Sequence, residues 1–174
     1  QEMGEVNGRV FVDSAPVMDR AWAEKSGLGW IGKNTNLITQ KVGSYFFIAE
    51  MILDLDLEYD LPTADHCGTC TACLEVCPTD AFTGPFELDA RKCISYLTIE
   101  HHGSIDPELR PLMGNRIFGC DDCQLCCPWN KFAQATAEGD FSPRHGLADV
   151  ELVELLLWDE DTFLAKTEGS AIRR

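Results

Sequence analysis

The stretch Cys67-Gly-Thr-Cys70-Thr-Ala-Cys73-Leu-Glu-Val-Cys77-Pro78 is the part of this sequence that decides its fold. Its cysteines follow the spacing C-x2-C-x2-C-x3-C-P, which is typical of iron–sulfur proteins. In that spacing, three thiolates on a tight turn bind three corners of one [4Fe–4S] cube, and the fourth cysteine binds a second cube. The run therefore predicts two iron–sulfur clusters and a protein that transfers single electrons.

A second cysteine run follows as Cys120-Asp-Asp-Cys123-Gln-Leu-Cys126-Cys127-Pro128, and Cys93 stands alone between the two runs. The chain has 174 residues and nine cysteines in all. It shows no basic segment followed by an apolar one at its start, so no export signal is expected. In the reducing cytosol that this implies, cysteines at such spacings are expected to bind metal rather than to form disulfides.

The spacing assigns most of the cysteines to a cluster but leaves one place open. In two-cluster ferredoxins, the proline-flanked cysteine of each run binds the other run's cube. For cluster 1, this rule selects Cys67, Cys70, Cys73 and Cys127. For cluster 2, it selects Cys77, Cys120 and Cys123. The fourth ligand of cluster 2 is either Cys126, which completes a C-x2-C-x2-C spacing, or Cys93, and the spacing alone does not decide between them.

The charge and the apolar content of the chain limit its partners. A formal net charge of -15 at pH 7 argues against a broad nucleic-acid surface within this segment. Four basic residues are candidates for a local contact with nucleic acid: Arg110, Arg116, Lys131 and Arg144. The longest apolar stretches, residues 45–49 and 155–158, are far shorter than a membrane span. We therefore expect no association with a membrane.

Hydrophobic periodicity and capping residues predict short helices and strands. Ser14 is expected to cap a helix that has Pro16 in its first turn and ends at Gly27. The segment 27–34, Gly-Leu-Gly-Trp-Ile-Gly-Lys-Asn, is expected to form a glycine-rich loop where the backbone approaches a neighbour closely. Strands are expected at residues 9–13, 36–38 and 45–53, the last two flanking a turn at 41–44. Helices are expected at residues 89–100, from residue 106, and at 149–157 and 159–166.

Five segments of the chain carry a more specific pattern than the cysteines alone. They are residues 12–17 (Val-Asp-Ser-Ala-Pro-Val), the glycine-rich loop 27–34, the run 67–78, residues 93–100 (Cys-Ile-Ser-Tyr-Leu-Thr-Ile-Glu) and residues 114–123 (Gly-Asn-Arg-Ile-Phe-Gly-Cys-Asp-Asp-Cys). Together they resemble the epoxyqueuosine reductase family, which is related to reductive dehalogenases. The resemblance implies reduction of epoxyqueuosine to queuosine at the wobble position of tRNA, with cobalamin and two [4Fe–4S] clusters as cofactors.

The resemblance also implies an α+β fold that contains parts of three regions. Residues 1–62 would be the C-terminal part of a cobalamin-binding catalytic domain, and residues 63–132 a bacterial-ferredoxin-like module with two [4Fe–4S] clusters. Residues 133–174 would form a linker and the start of a helical, HEAT-like repeat region. Because Gln1 is not an initiator and the chain stops just after a predicted helix, we expect a segment of a larger protein.

The resemblance assigns roles that the residues alone leave open. It makes Cys93 the fourth ligand of cluster 2, because the family usually has an apolar residue at the position of Cys126. It places the family's general acid at Asp13, which the residues alone would explain better as an aspartate stabilising the first turn of a helix. The implied cobalamin contacts are Asp13, Lys33, Asn34, Ser95, Cys120 and Asp121.

Two other functions would use the same cysteine runs. One is a dicluster ferredoxin-type electron carrier without a substrate site, in which residues 13–16 and the glycine-rich loop would have no role. The other is a corrinoid reductive dehalogenase, a class that is usually exported and membrane-associated. For the reductase, the expected partners are tRNA carrying epoxyqueuosine and an external low-potential electron donor. The enzyme is expected to be monomeric and cytoplasmic.

Overall fold

The computed structural model of the chain describes residues 7–13 and 15–173. The chain folds into two compact units, which consist of Gln1–Ala90 with Asp121–Ala133 and of Arg91–Cys120 with Gln134–Arg174. Cys93 and Cys120 belong to the second unit, and the other seven cysteines belong to the first. The mixture of helices and strands is compatible with the predicted α+β class. The predicted domain limits at residues 62 and 132 stay a prediction.

The described part of the chain contains seven short α-helices. In chain order they are α1 (Asp19–Lys25), α2 (Ala72–Glu75), α3 (Ile94–Ile99), α4 (Arg110–Met113), α5 (Asp122–Leu125), α6 (Leu152–Leu156) and α7 (Glu160–Lys166). Two further segments form 3-10 helices, at Pro128–Phe132 and Gly139–Phe141. Among the residues described, no helix is long and apolar enough to span a membrane.

Six strands form three separate antiparallel pairs within the described residues. The strands are β1 (Gly8–Phe11), β2 (Trp30–Ile31), β3 (Leu37–Ile38), β4 (Glu50–Leu53), β5 (Phe82–Gly84) and β6 (Glu87–Leu88). β1 pairs with β4, β2 pairs with β3, and β5 pairs with β6. All three pairs belong to the first unit, which therefore contains the whole β structure described.

The pairing of β3 differs from the hairpin predicted around residues 41–44. β3 pairs with β2, whereas β4, which begins only at Glu50, pairs with β1. A single bridge between Thr39 and Gly43 closes the turn instead. The β2–β3 pair sets Trp30 opposite Ile38, and each of these side chains is only 1% exposed. Burial of these two large apolar side chains favours the observed pairing over the predicted one.

The first helix begins later than predicted. α1 starts at Asp19 with Met18 as its N-cap residue, and no side chain caps it, whereas we expected Pro16 in its first turn. The predicted cap, Ser14, lies outside the described residues. The predicted stop is confirmed, because Gly27 follows the helix with a φ of +71°, a conformation that glycine adopts without strain.

The third helix is also shorter than predicted. α3 begins at Ile94 rather than at residue 89, and Cys93 is its N-cap residue. Asp89 belongs instead to the end of the β5–β6 pair, where its backbone N–H donates to the carbonyl of Ala81. Residues 90–92 then form a turn, and α3 starts only after it.

The second unit has a small apolar core. Its buried members are Ile94, Leu97 and Met113. Cys120 packs, partly buried, against these three side chains. The two predicted C-terminal helices are confirmed as α6 and α7. Asp159 caps α7 by accepting a hydrogen bond from the Thr162 backbone N–H (2.8 Å). Hydrogen bonding to the Thr162 side chain, followed by this backbone bond, lowers the pKa of the Asp159 carboxyl.

Asn130 fixes the turn at residues 41–44 to the second cysteine run. Its Oδ1 accepts a hydrogen bond from the backbone N–H of Ser44 (2.6 Å). Its Nδ2 donates to the Gln124 carbonyl (2.7 Å) and to Ser44 Oγ (3.0 Å). A methyl group on Gly43 would lie 2.0 Å from Asn130 Oδ1, so the turn can approach Asn130 this closely only with glycine at that position.

We expect Asn130→Ala to lower the apparent free energy of unfolding by about 1–3 kcal/mol, because a half-buried N–H and a carbonyl each lose a partner. Anaerobic equilibrium denaturation of the intact protein measures this change. Asn115→Ala, at an exposed asparagine of the second unit, is the control and should change the free energy by no more than about 0.5 kcal/mol. Equal effects of the two substitutions would contradict the anchoring role of Asn130.

Candidate iron–sulfur site

The four cysteines predicted to bind cluster 1 line one cavity in the first unit. The cavity has a volume of about 300 Å³. Its sulfur-bearing residues are Cys67, Cys70, Cys73 and Cys127. The remaining lining residues are mainly apolar or basic and include Ile38, His66, Pro128, Trp129, Phe132, Lys33 and Lys131. Residues from both cysteine runs thus line a single cavity.

Short local hydrogen bonds place these cysteines on turns. The Cys70 N–H donates to the Cys67 carbonyl (3.2 Å), and the Asp65 carboxylate accepts from the Cys67 N–H (2.7 Å). The intervening Gly68 has a φ of +53°, which a residue with a side chain would adopt only with strain. α2 lies within the first run, α5 lies within the second, and the two helices pack against each other. This packing joins the first run to the second.

Burial and crowding of sulfur atoms raise the pKa of two thiols of this cavity, those of Cys73 and Cys127. Burial, followed by the neighbouring sulfurs of Cys126 and Cys67, raises the pKa of Cys73 to about 11. Burial is also the main cause of the raised pKa of Cys127. Iron binds cysteine as the thiolate, and its positive charge removes the repulsion that holds these protons in place. The donor set therefore suits an iron–sulfur core, which is positively charged before its thiolate ligands are counted.

The arrangement does not suit a single metal ion. Among the described residues, no group of three or more His, Cys, Asp or Glu side chains is placed to hold one metal ion. The four ligands of a [4Fe–4S] cube each bind a different iron, so their sulfurs stay further apart than the ligands of one ion. The four cysteines around one cavity and their spacing in the sequence both fit a cube.

Cys126 lies beside the predicted cluster 1 ligands, although it is not among the described residues that line the cavity. Burial and the neighbouring sulfur of Cys127 raise the pKa of its thiol, and the sulfur of Cys70 adds to the effect. The Cys126 Sγ donates a weak hydrogen bond to the carbonyl of Cys123 (3.6 Å). The spacing, which made Cys126 one of two candidates for cluster 2, gave no indication of this proximity to the cluster 1 cysteines.

The four residues predicted for cluster 2 are divided between the two units. Cys77 and Cys123 are in the first unit, and Cys93 and Cys120 are in the second. The Cys77 Sγ accepts a hydrogen bond from the backbone N–H of Ala81 (3.3 Å). Hydrogen bonds to cysteine sulfur of this kind are among the features that tune iron–sulfur clusters. None of the nine cysteines, all of which are described, forms a disulfide.

The glycine-rich loop 27–34 packs tightly because its glycines have no side chains. A methyl group on Gly29 would lie 2.1 Å from the carbonyl oxygen of Ile38, and one on Gly32 would lie 2.4 Å from the Ile38 side chain. The expected close approach of the loop backbone is therefore confirmed, and the neighbour is β3. This contact fixes the loop residues that follow, Lys33 and Asn34.

Lys33 and Asn34 hold the two cysteine runs. The Lys33 Nζ donates to the carbonyls of Gly68 (2.7 Å) and Cys70 (2.9 Å) in the first run. The Asn34 Nδ2 donates to the carbonyl of Cys123 (3.1 Å) in the second run, and the Asn34 side chain is buried. We predicted both residues as cobalamin contacts, and that role stays a prediction. The structure gives their side chains partners in the cluster module, which sequence reasoning missed.

Three aromatic rings cover one side of the cavity. Trp30 meets His66 and Trp129 edge to face, with centroid separations of 5.0 Å and 5.1 Å. His66 and Trp129 line the cavity themselves. Such rings exclude water from a cluster, and solvent exposure is one of the factors that set cluster potentials. Sequence reasoning gave His66 no role, although it directly precedes Cys67.

Asp13 has a strained backbone. It follows β1 with a φ of +47°, in the left-handed region that residues with side chains rarely adopt. Its side chain is exposed. β1 pairs with β4, whose Glu50 lines a second cavity of about 800 Å³ in the same unit. A cavity of this volume is within the range of small-molecule sites, and backbone strain is concentrated at functional positions.

Comparison with protein families identifies the cluster module. Residues 66–130 match the family described as 4Fe-4S double cluster binding domain. The chain thus contains an iron–sulfur domain that includes both cysteine runs and Cys93. The match extends over the cysteines and does not reach residues 7–65, so it gives no information on Asp13 or the glycine-rich loop.

Curated relatives are similar to the chain over nearly all of its length. It is 61% identical to the epoxyqueuosine reductase of Pseudomonas aeruginosa, over 99% of this chain and 48% of that protein. It is 56% identical to the epoxyqueuosine reductase of Escherichia coli K12, over 100% of this chain and 46% of that protein. The chain therefore spans about half the length of the curated relatives it matches.

Solved structures of similar proteins have the same backbone arrangement. One is an epoxyqueuosine reductase with an epoxyqueuosine-modified tRNA stem loop, at a TM-score of 0.85 and 36% identity over 95% of this chain and 46% of that one. Another is the Bacillus subtilis epoxyqueuosine reductase with a catalytic loop, named for an aspartate, swung out of the active site. It matches with a TM-score of 0.85 and 35% identity, over 98% of this chain and 46% of that one.

We expect Asn34→Asp to speed the release of iron from the intact protein to a chelator by about tenfold, as is common when a residue supporting metal ligands is changed. The substitution keeps a side-chain oxygen that can accept from the Asn36 backbone N–H. It removes the N–H that donates to the Cys123 carbonyl and places a negatively charged carboxylate beside that carbonyl oxygen. Asn115→Asp adds the same charge at an exposed site and should not alter the rate. Equal rates in the two variants would show that Asn34 does not support the cluster module.

Proposed function

Since the chain belongs to the epoxyqueuosine reductase family, we propose that the protein reduces epoxyqueuosine to queuosine in tRNA. The observation that carries the proposal is 61% identity to a named family member over 99% of the chain, which includes residues outside the cysteine runs. The tRNA substrate is supported by a similar protein whose structure contains an epoxyqueuosine-modified tRNA stem loop. A simple electron carrier would not require similarity in the first 65 residues.

The reaction must supply two electrons and two protons. Reduction of the epoxide to an alkene breaks two carbon–oxygen bonds and forms one carbon–carbon π bond, and the oxygen leaves as water. A [4Fe–4S] cluster transfers one electron at a time, so two transfers complete one turnover. An external low-potential donor would refill the clusters. The donor, the monomeric state and the cytoplasmic location stay predictions.

We propose two sets of cluster ligands. Cluster 1 would be bound by Cys67, Cys70, Cys73 and Cys127, and the cavity that these four residues line supports this set. Cluster 2 would be bound by Cys77, Cys93, Cys120 and Cys123. The inclusion of Cys93 rests on the family pattern, and the position of Cys126 beside the cluster 1 thiols supports its exclusion from cluster 2.

Cobalamin would supply the low-valent metal centre that delivers the electrons to the substrate. The contacts proposed for it are Asp13, Lys33, Asn34, Ser95, Cys120 and Asp121. Of these, Lys33 and Asn34 each hold a cysteine run as well, so their contribution to a corrinoid site would be shared with that role. Lysine has three N–H donors and here uses two of them, which leaves one for a further acceptor.

Asp13 would hold and donate the proton that converts the leaving oxygen into water. Its exposed side chain and strained backbone support this role over a purely helix-stabilising one. The helix that follows supports it too, because α1 begins only at Asp19 and receives no side-chain cap. A solved relative with a catalytic loop named for an aspartate is consistent with a mobile acid in this family.

We expect the intact protein, with both clusters and cobalamin, to convert epoxyqueuosine in tRNA to queuosine, as measured by nucleoside mass spectrometry. Asp13→Asn should slow this turnover by about 10²- to 10⁴-fold, because a general acid typically contributes that much. The cluster absorbance should not change. Asp56→Asn, in the acidic segment before the first cysteine run, is the matched control and should keep full activity.

Two outcomes would contradict these roles. If the parent protein left epoxyqueuosine in tRNA unchanged under reducing, anaerobic conditions, the proposed function would be rejected. If Asp13→Asn turned over as fast as the parent protein, the function would stand, but Asp13 would have no part in proton transfer.

Iron analysis separates the two possible fourth ligands of cluster 2. The reconstituted intact protein should contain about eight irons, since each cube holds four. Cys93→Ala should fall to about four, because a missing ligand makes the cube labile, whereas Cys126→Ala should keep about eight. The opposite result, with iron lost from the Cys126 variant and kept by the Cys93 variant, would exchange the two assignments.

A further inference from the structure

We propose that Lys33 positions the cluster 1 ligands and that its positive charge raises the reduction potential of cluster 1. The proposal rests on the cluster 1 ligand set given under the proposed function, and it does not depend on the tRNA substrate. It assigns Lys33 a role in the supply of electrons. The glycine-rich loop thereby becomes part of the iron–sulfur site as well as of the catalytic domain.

The hydrogen bonds of Lys33 span the first turn of the cysteine run. The Nζ donates to the carbonyl of Gly68, which directly follows the ligand Cys67, and to the carbonyl of Cys70, which is itself a ligand. The two distances, 2.7 Å and 2.9 Å, are those of well-formed hydrogen bonds from a charged donor. One side chain thus links two consecutive ligand positions. Groups that fix ligands in this way also tune the metal centre.

The charge of Lys33 lies at the wall of the cluster cavity. Lys33 lines the same cavity as the four cysteines, and the residue is partly buried, which weakens screening by salt. Four thiolates already give a cluster a net negative charge, and reduction adds one electron to it. A nearby positive charge stabilises the reduced form more than the oxidised form, so it raises the potential.

Negative charge elsewhere in the chain increases the effect expected of the Lys33 charge on the reduction potential of cluster 1. The chain as a whole has a net charge of -15. Asp65 lies two residues before the first cysteine run, and Asp122 lies within the second. Negative charges disfavour the addition of an electron. The second lysine of the cavity, Lys131, has its Nζ over the ring of Phe132 at 4.8 Å from the centroid. Lys33 is the lysine whose hydrogen bonds reach the ligand-bearing turn.

Three substitutions separate the charge of Lys33 from its hydrogen bonds. Lys33→Gln keeps an N–H donor for the carbonyls but removes the charge, and Lys33→Met removes both. Lys33→Arg keeps the charge and the donors. Lys41→Met is the matched control, because Lys41 is exposed in the turn that Thr39 and Gly43 close and does not line the cavity.

The measurement is an anaerobic redox titration of the intact, reconstituted protein, followed by electron paramagnetic resonance. We expect one of the two midpoint potentials to shift to a more negative value in Lys33→Gln and Lys33→Met. Lys33→Arg and Lys41→Met should keep the midpoint of the parent protein. The shifted midpoint should be the one that is missing from Cys70→Ala, which identifies it as that of cluster 1. If Lys33→Met fails to hold the cluster, Lys33→Gln still provides the test.

The proposal would be overturned if Lys33→Gln held both clusters with unchanged midpoints, or if Lys41→Met shifted a midpoint equally. Different results would reject the role of Lys33 and the proposed function. A protein that did not convert epoxyqueuosine but showed the Lys33 shift would lose only the function. A parent protein with no cluster bound by Cys67, Cys70, Cys73 and Cys127 would instead remove the ligand set on which this inference rests.

Discussion

Two neighbouring side chains of one glycine-rich loop hold both cysteine runs. Lys33 donates to two carbonyls of the first run, and Asn34 donates to a carbonyl of the second. Neither contact would form if the loop could not lie flat against β3, and Gly29 and Gly32 make that approach possible. The first unit depends on these hydrogen bonds of Lys33 and Asn34, because they join residues before the first cysteine run to both runs. A substitution in the loop is therefore expected to alter the iron–sulfur sites even though no cysteine is changed.

The thiols of the cluster 1 cavity explain why the hydrogen bonds of Lys33 and Asn34 are needed. Buried thiols that crowd one another resist ionisation, as the raised pKa of Cys73 indicates, so the protein must hold them together until iron replaces their protons. Backbone turns, the packing of α2 on α5 and the Asn130 hydrogen bonds all contribute to this. The aromatic rings of Trp30, His66 and Trp129 then limit the access of water. In the proposed function, this protected site supplies electrons to chemistry that takes place near Asp13.

The sequence predicted the parts of this site that local spacing controls. The four cysteines that line the cavity were chosen from spacing alone, and the glycines of residues 27–34 correctly indicated a close backbone contact. The contacts made by Lys33 and Asn34 could not be predicted in this way, because their partners lie 35 and 89 residues further along the chain. Strand pairing failed for a different reason, because β2 and β3 are close in the sequence. β3 pairs with the preceding β2 because that pairing buries Trp30 and Ile38. The turn residues after β3 predicted a hairpin with the following strand instead.

The most direct test of the account is anomalous X-ray diffraction at the iron edge from crystals of the intact, reconstituted protein. We predict a four-iron cube bonded to Cys67, Cys70, Cys73 and Cys127, with the Lys33 ammonium on the carbonyls of Gly68 and Cys70. The Cys126 sulfur should not be bonded to iron. Iron bound to Cys126 in place of one of these four ligands, or a cavity without iron in a protein that carries iron elsewhere, would contradict the account.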